Sequence, residues 1–211
     1  MAKNYTDYRG LRGLVAAEII KDDGTTFEAD YWHELEGAVS CSVEGEESTS
    51  SFYRDNMSVK SVSTEGPDTA SVNMDVLANK VRAWLEGRTY SETNDVYVKT
   101  PKKVKKFVFG FIGGKDDGTE EANILYCTSV TGGNTEHNTG DDGTEVTTME
   151  YTFTGVYTKT KFEIDGDKLA VKSINVPLSE VVTEEKLFGT FTEGVSSVKP
   201  LTPDQIIALT A

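Results

Sequence analysis

Cysteine and histidine are scarce in this chain, two of each in 211 residues. Two cysteines do not make a disulfide scaffold. Cys41 and Cys127 each lie in a strand-like apolar run, where a buried free thiol is the default; a bridge between them stays open. His33 and His137 sit in unrelated contexts, neither beside a Cys or Glu at metal-ligand spacing, so no zinc site is expected. No apolar run approaches the ~20 residues of a membrane helix. Met1 to Tyr8 has no apolar core of an export signal, so the expected environment is a cytoplasm. Cations are also in short supply, with 21 Lys and Arg against 35 Asp and Glu, a net charge of −14 and a pI near 4.6. A grip on nucleic acid needs Lys and Arg to neutralise phosphates, and this chain opposes it. The charge reads first as serving solubility, and it also permits a surface that DNA passes without adhering.

Catalytic signatures are missing too. There is no Gly-x-Ser-x-Gly elbow, no P-loop and no Gly-x-Gly-x-x-Gly before a helix, so neither an enzyme nor a cofactor is expected. Carboxylate pairs nominate no glycosidase in a chain so rich in them. His33 beside Tyr31 and Trp32 reads as a packed or surface aromatic cluster rather than a pocket.

What the chain has in abundance is turn chemistry. The tetrad Asp-Asp-Gly-Thr occurs at Asp22–Thr25, Asp116–Thr119 and Asp141–Thr144, and a further Asp-Gly pair at Asp165–Gly166. Asp-Gly between alternating apolar runs signals a β-hairpin, because a type I′ turn needs positive φ at both central residues. Calcium is the rival reading, but an EF-hand loop places oxygen ligands at alternate positions and ends on a bidentate Glu. No tetrad has that spacing.

The pattern between the turns is mostly period two. Leu35, Val39, Cys41 and Val43 alternate with small and polar residues, as in a half-buried strand. Phe107 to Ile112 is an unbroken apolar run suited to a strand covered on both sides. Met149, Tyr151 and Phe153 alternate with Glu150, Thr152 and Thr154, and Gly155 suits a bulge. Leu169 to Leu178 reads as a last strand. One segment has helical spacing: Met74, Leu77, Val81, Trp84 and Leu85 form a core-facing stripe, with Asn73 as N-cap and Gly87 past the end. Glu44, Gly45, Glu46, Glu47, Ser48, Thr49, Ser50 and Ser51 are too polar to pack, and a mobile loop or hairpin tip is expected there. Lys102, Lys103, Lys105 and Lys106 make a basic cluster that reads as a solvated strand start or a contact to an acidic neighbouring copy. The fold expected is mainly β: a sandwich or barrel of hairpins over residues 1–178, one flanking helix at about 73–86, an extended loop, and a C-terminal arm from 179 to 211.

Taken in order, these pieces resemble the major tail (tail tube) proteins of bacteriophages with long non-contractile tails, in particular the phi13-type family. The resemblance rests on Gly13-Leu14-Val15-Ala16-Ala17 leading to the first tetrad, Leu35-Glu36-Gly37-Ala38-Val39, and Phe52-Tyr53-Arg54-Asp55-Asn56. It continues through the helix ending Trp84-Leu85-Glu86-Gly87, Gly110-Phe111, and the Thr-rich strand from Thr147 to Phe162. It covers most of residues 11–165. The 120–147 region is longer than in the family, and nothing after Asp167 matches.

The resemblance implies a structural virion protein whose hexameric rings stack into a hollow tube that conducts DNA from capsid to host. Sheets of six copies would join edge to edge, which removes free edges. Its partners would be itself, the tape measure, tail terminator and distal tail proteins, with DNA only in passage and no membrane. It would be found in the virion tail, and in the host cytoplasm during assembly. Six copies at −14 carry a formal charge of −84, which repels DNA from the lumen. On this reading Val43 to Ser51 is an assembly loop, ordered only against a neighbouring copy, with Phe52 and Tyr53 anchoring its base. Leu187, Phe188 and Phe191 need cover that a short arm lacks, so the arm is expected to pack on its own domain or, the favoured reading, on a neighbouring subunit. The alternative is a β-sandwich module binding carbohydrate or a receptor, which needs exposed aromatics on a flat face; only Trp32 and Trp84 are candidates.

Overall fold

In the computed structural model the chain is described over residues 8–54, 57–134 and 148–210; the third tetrad and His137 lie outside the described residues. In chain order the elements are β1 (Tyr8–Asp22), β2 (Phe27–Ala29), β3 (His33–Glu34), β4 (Ala38–Arg54), β5 (Met57–Met74), α1 (Asn79–Glu86), β6 (Thr89–Ser91), β7 (Val96–Val98) and β8 (Phe107–Lys115). There follow β9 (Glu120–Asn134), β10 (Met149–Gly155), β11 (Phe162–Ile164), β12 (Asp167–Leu169), β13 (Ser173–Pro177), α2 (Glu184–Phe188), β14 (Phe191–Thr192), β15 (Val195–Ser196) and α3 (Pro203–Thr210). The protein is mainly β, as its alternation predicts.

Six strands carry the architecture, in the order β1-β8-β9-β10-β5-β4, every pair antiparallel. The sheet curls until β4 comes back beside β1, and residues of all six strands enclose one core. That core is built from Leu14 and Ala16 of β1, Phe107, Phe109 and Phe111 of β8, Met149, Tyr151 and Phe153 of β10, and Ala70, Val72 and Met74 of β5. Phe109 and Phe153 stack at its centre, 4.1 Å between ring centroids. Between β1 and β4 the barrel stays unsealed: a cavity of about 440 Å³ is lined by Tyr8, Leu11, Cys41, Val43 and Phe111 among others.

The expected two-sided burial of Phe107 to Ile112 is found, and its outer cover is the C-terminal segment. Val15, Ala17, Val108, Ile112, Ile124 and Tyr126 pack outward against Val182, Leu187, Phe188 and Ile206. Of the two places expected for the C-terminal arm, its own domain is the one found, rather than the favoured neighbouring subunit. Leu187 and Phe188 are each 1% exposed within their own chain, and Phe191 is half-buried in β14. Trp32 explains the docking: its indole Nε1 donates to Leu187 O at 3.0 Å and its ring meets Phe188 edge-on at 5.3 Å. Gly110 leaves the room, since a Cβ there would stand 2.9 Å from the Phe188 ring. We expect Gly110→Val to destabilise the protein by about 1–3 kcal/mol, read from the denaturant midpoint.

Turn chemistry is realised in two ways. Asp165 (φ 51°) and Gly166 (φ 89°) form the two-residue turn between β11 and β12, with both residues at positive φ as type I′ demands. The described tetrads make longer turns in which only the glycine is left-handed, Gly24 at φ 91° and Gly118 at φ 84°. There the second Asp acts through its side chain. Asp23 Oδ1 accepts from the amides of Thr25 (3.0 Å) and Thr26 (2.9 Å), and Asp117 Oδ1 from the amide (2.9 Å) and hydroxyl (2.6 Å) of Thr119. The amide of Thr26, with Lys21 and Thr25, holds the Asp23 carboxyl down at about 2, below its ordinary 3.8. A depressed pKa contributes stability above the unfolded value that is lost as pH falls through the folded one. The turn at Asp23 is therefore expected to loosen between about pH 4 and 2, with an NMR titration midpoint for its carboxyl near the lower value.

The helix starts later than its stripe suggests. Met74 still pairs with Ala38 and Met149 as the last residue of β5, and the Asp75 amide donates to Gly37 O at 2.9 Å. The helix therefore begins at Asn79, after Ala78, which offers no side-chain cap, rather than at Asn73. Gly87 closes it at φ 66°, as expected. Met74, Leu77 and Leu85 are core residues, with Val81 and Trp84 packed against them. The irregularity expected at Gly155 sits across the ladder instead. β10 ends at Gly155, while β9 bulges at Tyr126 and Cys127, the latter at φ 52°, where it exchanges β13 for β10 as its partner. The stretch 169–178 is not a last strand; it divides between β12 and β13, and β14 and β15 follow.

Candidate assembly surface

The acidic Ser-rich segment is not a loop. Residues 44–51 belong to β4, which pairs with β5 from Ala38↔Met74 to Arg54↔Met57 in one long hairpin. A hairpin ladder is made by backbone amides and carbonyls, so it needs no apolar side chains to form. The half nearest the barrel completes the wall. Beyond Gly45 and Asp68 the hairpin continues as an arm, and among the described residues that arm is laddered only to itself. Thr49 and Ser63 hydroxyls bond across it at 2.8 Å. Phe52 pairs with Lys60 and Tyr53 with Ser58, so these two positions stand near the tip rather than at the base; their side chains lie outside the described residues.

The arm leaves the barrel at a bulge. Gly45 pairs with Asp68 and Glu47 with Glu65, so Gly66 and Pro67 together face Glu46. Proline has no amide to give the ladder, and extra residues bend and twist a hairpin. Gly66 is required because a Cβ would lie 2.7 Å from Glu46 Cβ. The root is pinned by Lys172, the residue that leads into β13. Lys172 Nζ donates to Asp68 Oδ1 at 2.8 Å and to Gly66 O at 3.1 Å, and lies 5.1 Å from the centre of the Tyr157 ring. The Tyr157 hydroxyl donates to Glu65. The bond to Asp68 raises the Lys172 pKa, so the ammonium stays charged. Sequence reasoning missed this root, because Lys172 and Asp68 are distant in the chain and carry no local signal. Lys172→Met is expected to cost about 1.5–3 kcal/mol, the range for bonds to charged groups. Faster amide exchange at Gly66, Asp68 and Thr69 checks it.

Two more surfaces flank the arm. The outer face of β4, β5 and β10 is polar and ordered in rows: Ser40, Asn73 and Glu150; Ser42, Ser71 and Thr152; Glu44, Thr69 and Thr154. Asn73 Nδ2 donates to Ser40 Oγ at 3.1 Å. The outer edge of β4 has no ladder partner among the described residues. At the entry to β8 stand the lysines. Lys105 reaches Glu18 at 2.6 Å and Lys102 donates to Val130 O, fixing the segment to its own chain. Lys103 and its neighbour Val104 face solvent, Val104 at 86% exposure.

The remaining candidates for chemistry are packed away. His33 lies against Trp84, 4.4 Å between rings, and burial lowers its pKa. Trp84 Nε1 donates to Glu18 at 3.1 Å. Both cysteines are free, and burial pushes the Cys41 thiol up to about 12, leaving it protonated at neutral pH. Among the described residues no group of three or more His, Cys, Asp or Glu is placed to hold a metal ion. No described helix is long and apolar enough to cross a membrane. Compared with known protein families and with curated proteins, the chain matches none.

Proposed function

We propose that this protein is a self-assembling tube subunit: a phage tail tube protein whose hexameric rings stack into the conduit through which DNA leaves the capsid. The observation that carries this reading is the β4–β5 hairpin. Its strands of 17 and 18 residues are far longer than the barrel wall uses, and the outer edge of β4 is unpaired among the described residues. A long free edge invites pairing with another chain, and proteins that keep one either protect it or use it. Edge-to-edge joining of copies would satisfy β4, and the arm would engage the adjoining ring. The rows of Ser, Thr, Asn and Glu on the outer face of β4, β5 and β10 suit a lumen lining. They are polar and, at Glu44 and Glu150, anionic, while the net charge of −14 per copy adds a repulsive field for DNA. In a virion the tube would hold the tape measure protein and end on terminator and distal tail proteins.

The alternative of a carbohydrate- or receptor-binding module is less favoured, because Trp32 is fully buried and Trp84 is engaged by His33, Phe107 and Glu18. Negative-stain electron microscopy of the purified protein across a concentration series tests the proposal. Rings or stacked tubes are expected. A strict monomer at the highest attainable concentration would refute it.

A further inference from the structure

We infer that the acidic arm of one copy docks on the lysine segment 99–106 of the next, giving the assembly a head-to-tail polarity. The inference rests on the tube reading and names the partner surface within it. Four antiparallel steps separate β8 from β4, so the two strands run parallel. The lysine segment leads into the start of β8, whereas the arm is the far end of β4. They therefore project from opposite ends of the barrel. Two different patches at opposite ends make a heterologous contact, which propagates as a stack rather than closing as a dimer.

Charge matches across that contact. Residues 44–66 hold Glu44, Glu46, Glu47, Asp55 and Glu65 against Arg54 and Lys60. Residues 99–106 hold five lysines and no carboxylate. Within one copy Lys102 and Lys105 are taken up by the protein's own groups. Lys99 and Lys103 are exposed and in no ion pair among the described residues, as are Glu46 and Glu47 on the arm. Val104, set among these lysines, is the most exposed of the large apolar side chains described, and a docked arm would cover it. Complementary patches steer association and fix which surfaces meet, and the attraction weakens with salt.

A charge swap in the full chain tests this by sedimentation velocity and negative stain, with circular dichroism confirming the fold. The variant Lys99→Glu/Lys103→Glu and the variant Glu46→Lys/Glu47→Lys are each expected to raise the protein concentration needed for assembly about tenfold or more. All four substitutions in one chain are expected to restore it. Unchanged assembly of either double variant overturns the docking while leaving the tube reading intact, as does a folded four-fold variant that stays dispersed. A wild-type protein that never assembles overturns both.

Discussion

Excising residues 48–64 and closing Glu47 to Glu65 with an Asn-Gly turn is expected to give a folded protein that no longer assembles. Glu47 and Glu65 are register partners, so a two-residue type I′ loop fits between them. The removed stretch lies beyond the bulge at Gly66 and Pro67, and among the described residues it is laddered only to itself. The core on the inner face of the six strands loses nothing, so the melting temperature should stay within a few degrees of wild type. On the proposed tube reading assembly should be lost, because the stretch of hairpin that would reach the adjoining ring is gone. Scanning calorimetry and electron microscopy of the same sample check both halves. Tubes from this variant would show that the arm is dispensable. Excising Glu44 to Ser51 instead, the stretch whose polarity reads as a loop, is the wrong experiment: it would strip one side of the ladder, leave residues 61–69 of β5 without their β4 partners, and break the barrel wall.

Phe188→Ala is expected to destabilise the monomer by about 3–5 kcal/mol, the usual cost of truncating a buried aromatic residue. Phe188 is 1% exposed, meets Trp32 edge-on and fills the space left by Gly110. Against a typical domain stability of about 5–15 kcal/mol the loss is large. It corresponds to a fall in melting temperature of roughly 10 °C or more for a chain of this size. Its dependence on concentration is the informative part. If residues 179–210 cover their own barrel, the fall is the same at every protein concentration. If they were exchanged between subunits, diluting the protein would deepen it.

Much of the fold was legible in the sequence because the signals are local. Period-two alternation marked β10, an unbroken apolar run marked β8, and Asp165–Gly166 marked a type I′ turn; each depends on residues within a few positions of one another. The helical stripe identified core residues correctly but overextended the helix. Met74 and Leu77 reach the same core from the end of a strand and from a turn, and spacing cannot tell these from a helical face.

The candidate site was less legible. Polarity at residues 44–51 reads as loop when burial is taken to be what makes a strand, yet this stretch of β4 is held by its backbone ladder to β5, with residues 44–49 exposed. The ion pair at its root, Lys172 with Asp68, joins residues over a hundred positions apart. The C-terminal segment looked like an arm because its apolar residues form no regular strand. Only the folded chain brings Trp32 and Gly110 to one place and so supplies the surface that Leu187 and Phe188 cover.

The sequence by itself thus determined the mainly β class, the acidic surface, the turns and the membership of the inner core. These follow from side-chain chemistry read a few residues at a time. Tertiary structure alone decided that the barrel stays open along β1 and β4, that β4 and β5 outrun it as an acidic arm, and that the lysine segment stands at the opposite end. Those facts depend on which strand pairs with which and in what direction. Such pairings are fixed by the closure of the whole sheet around one core.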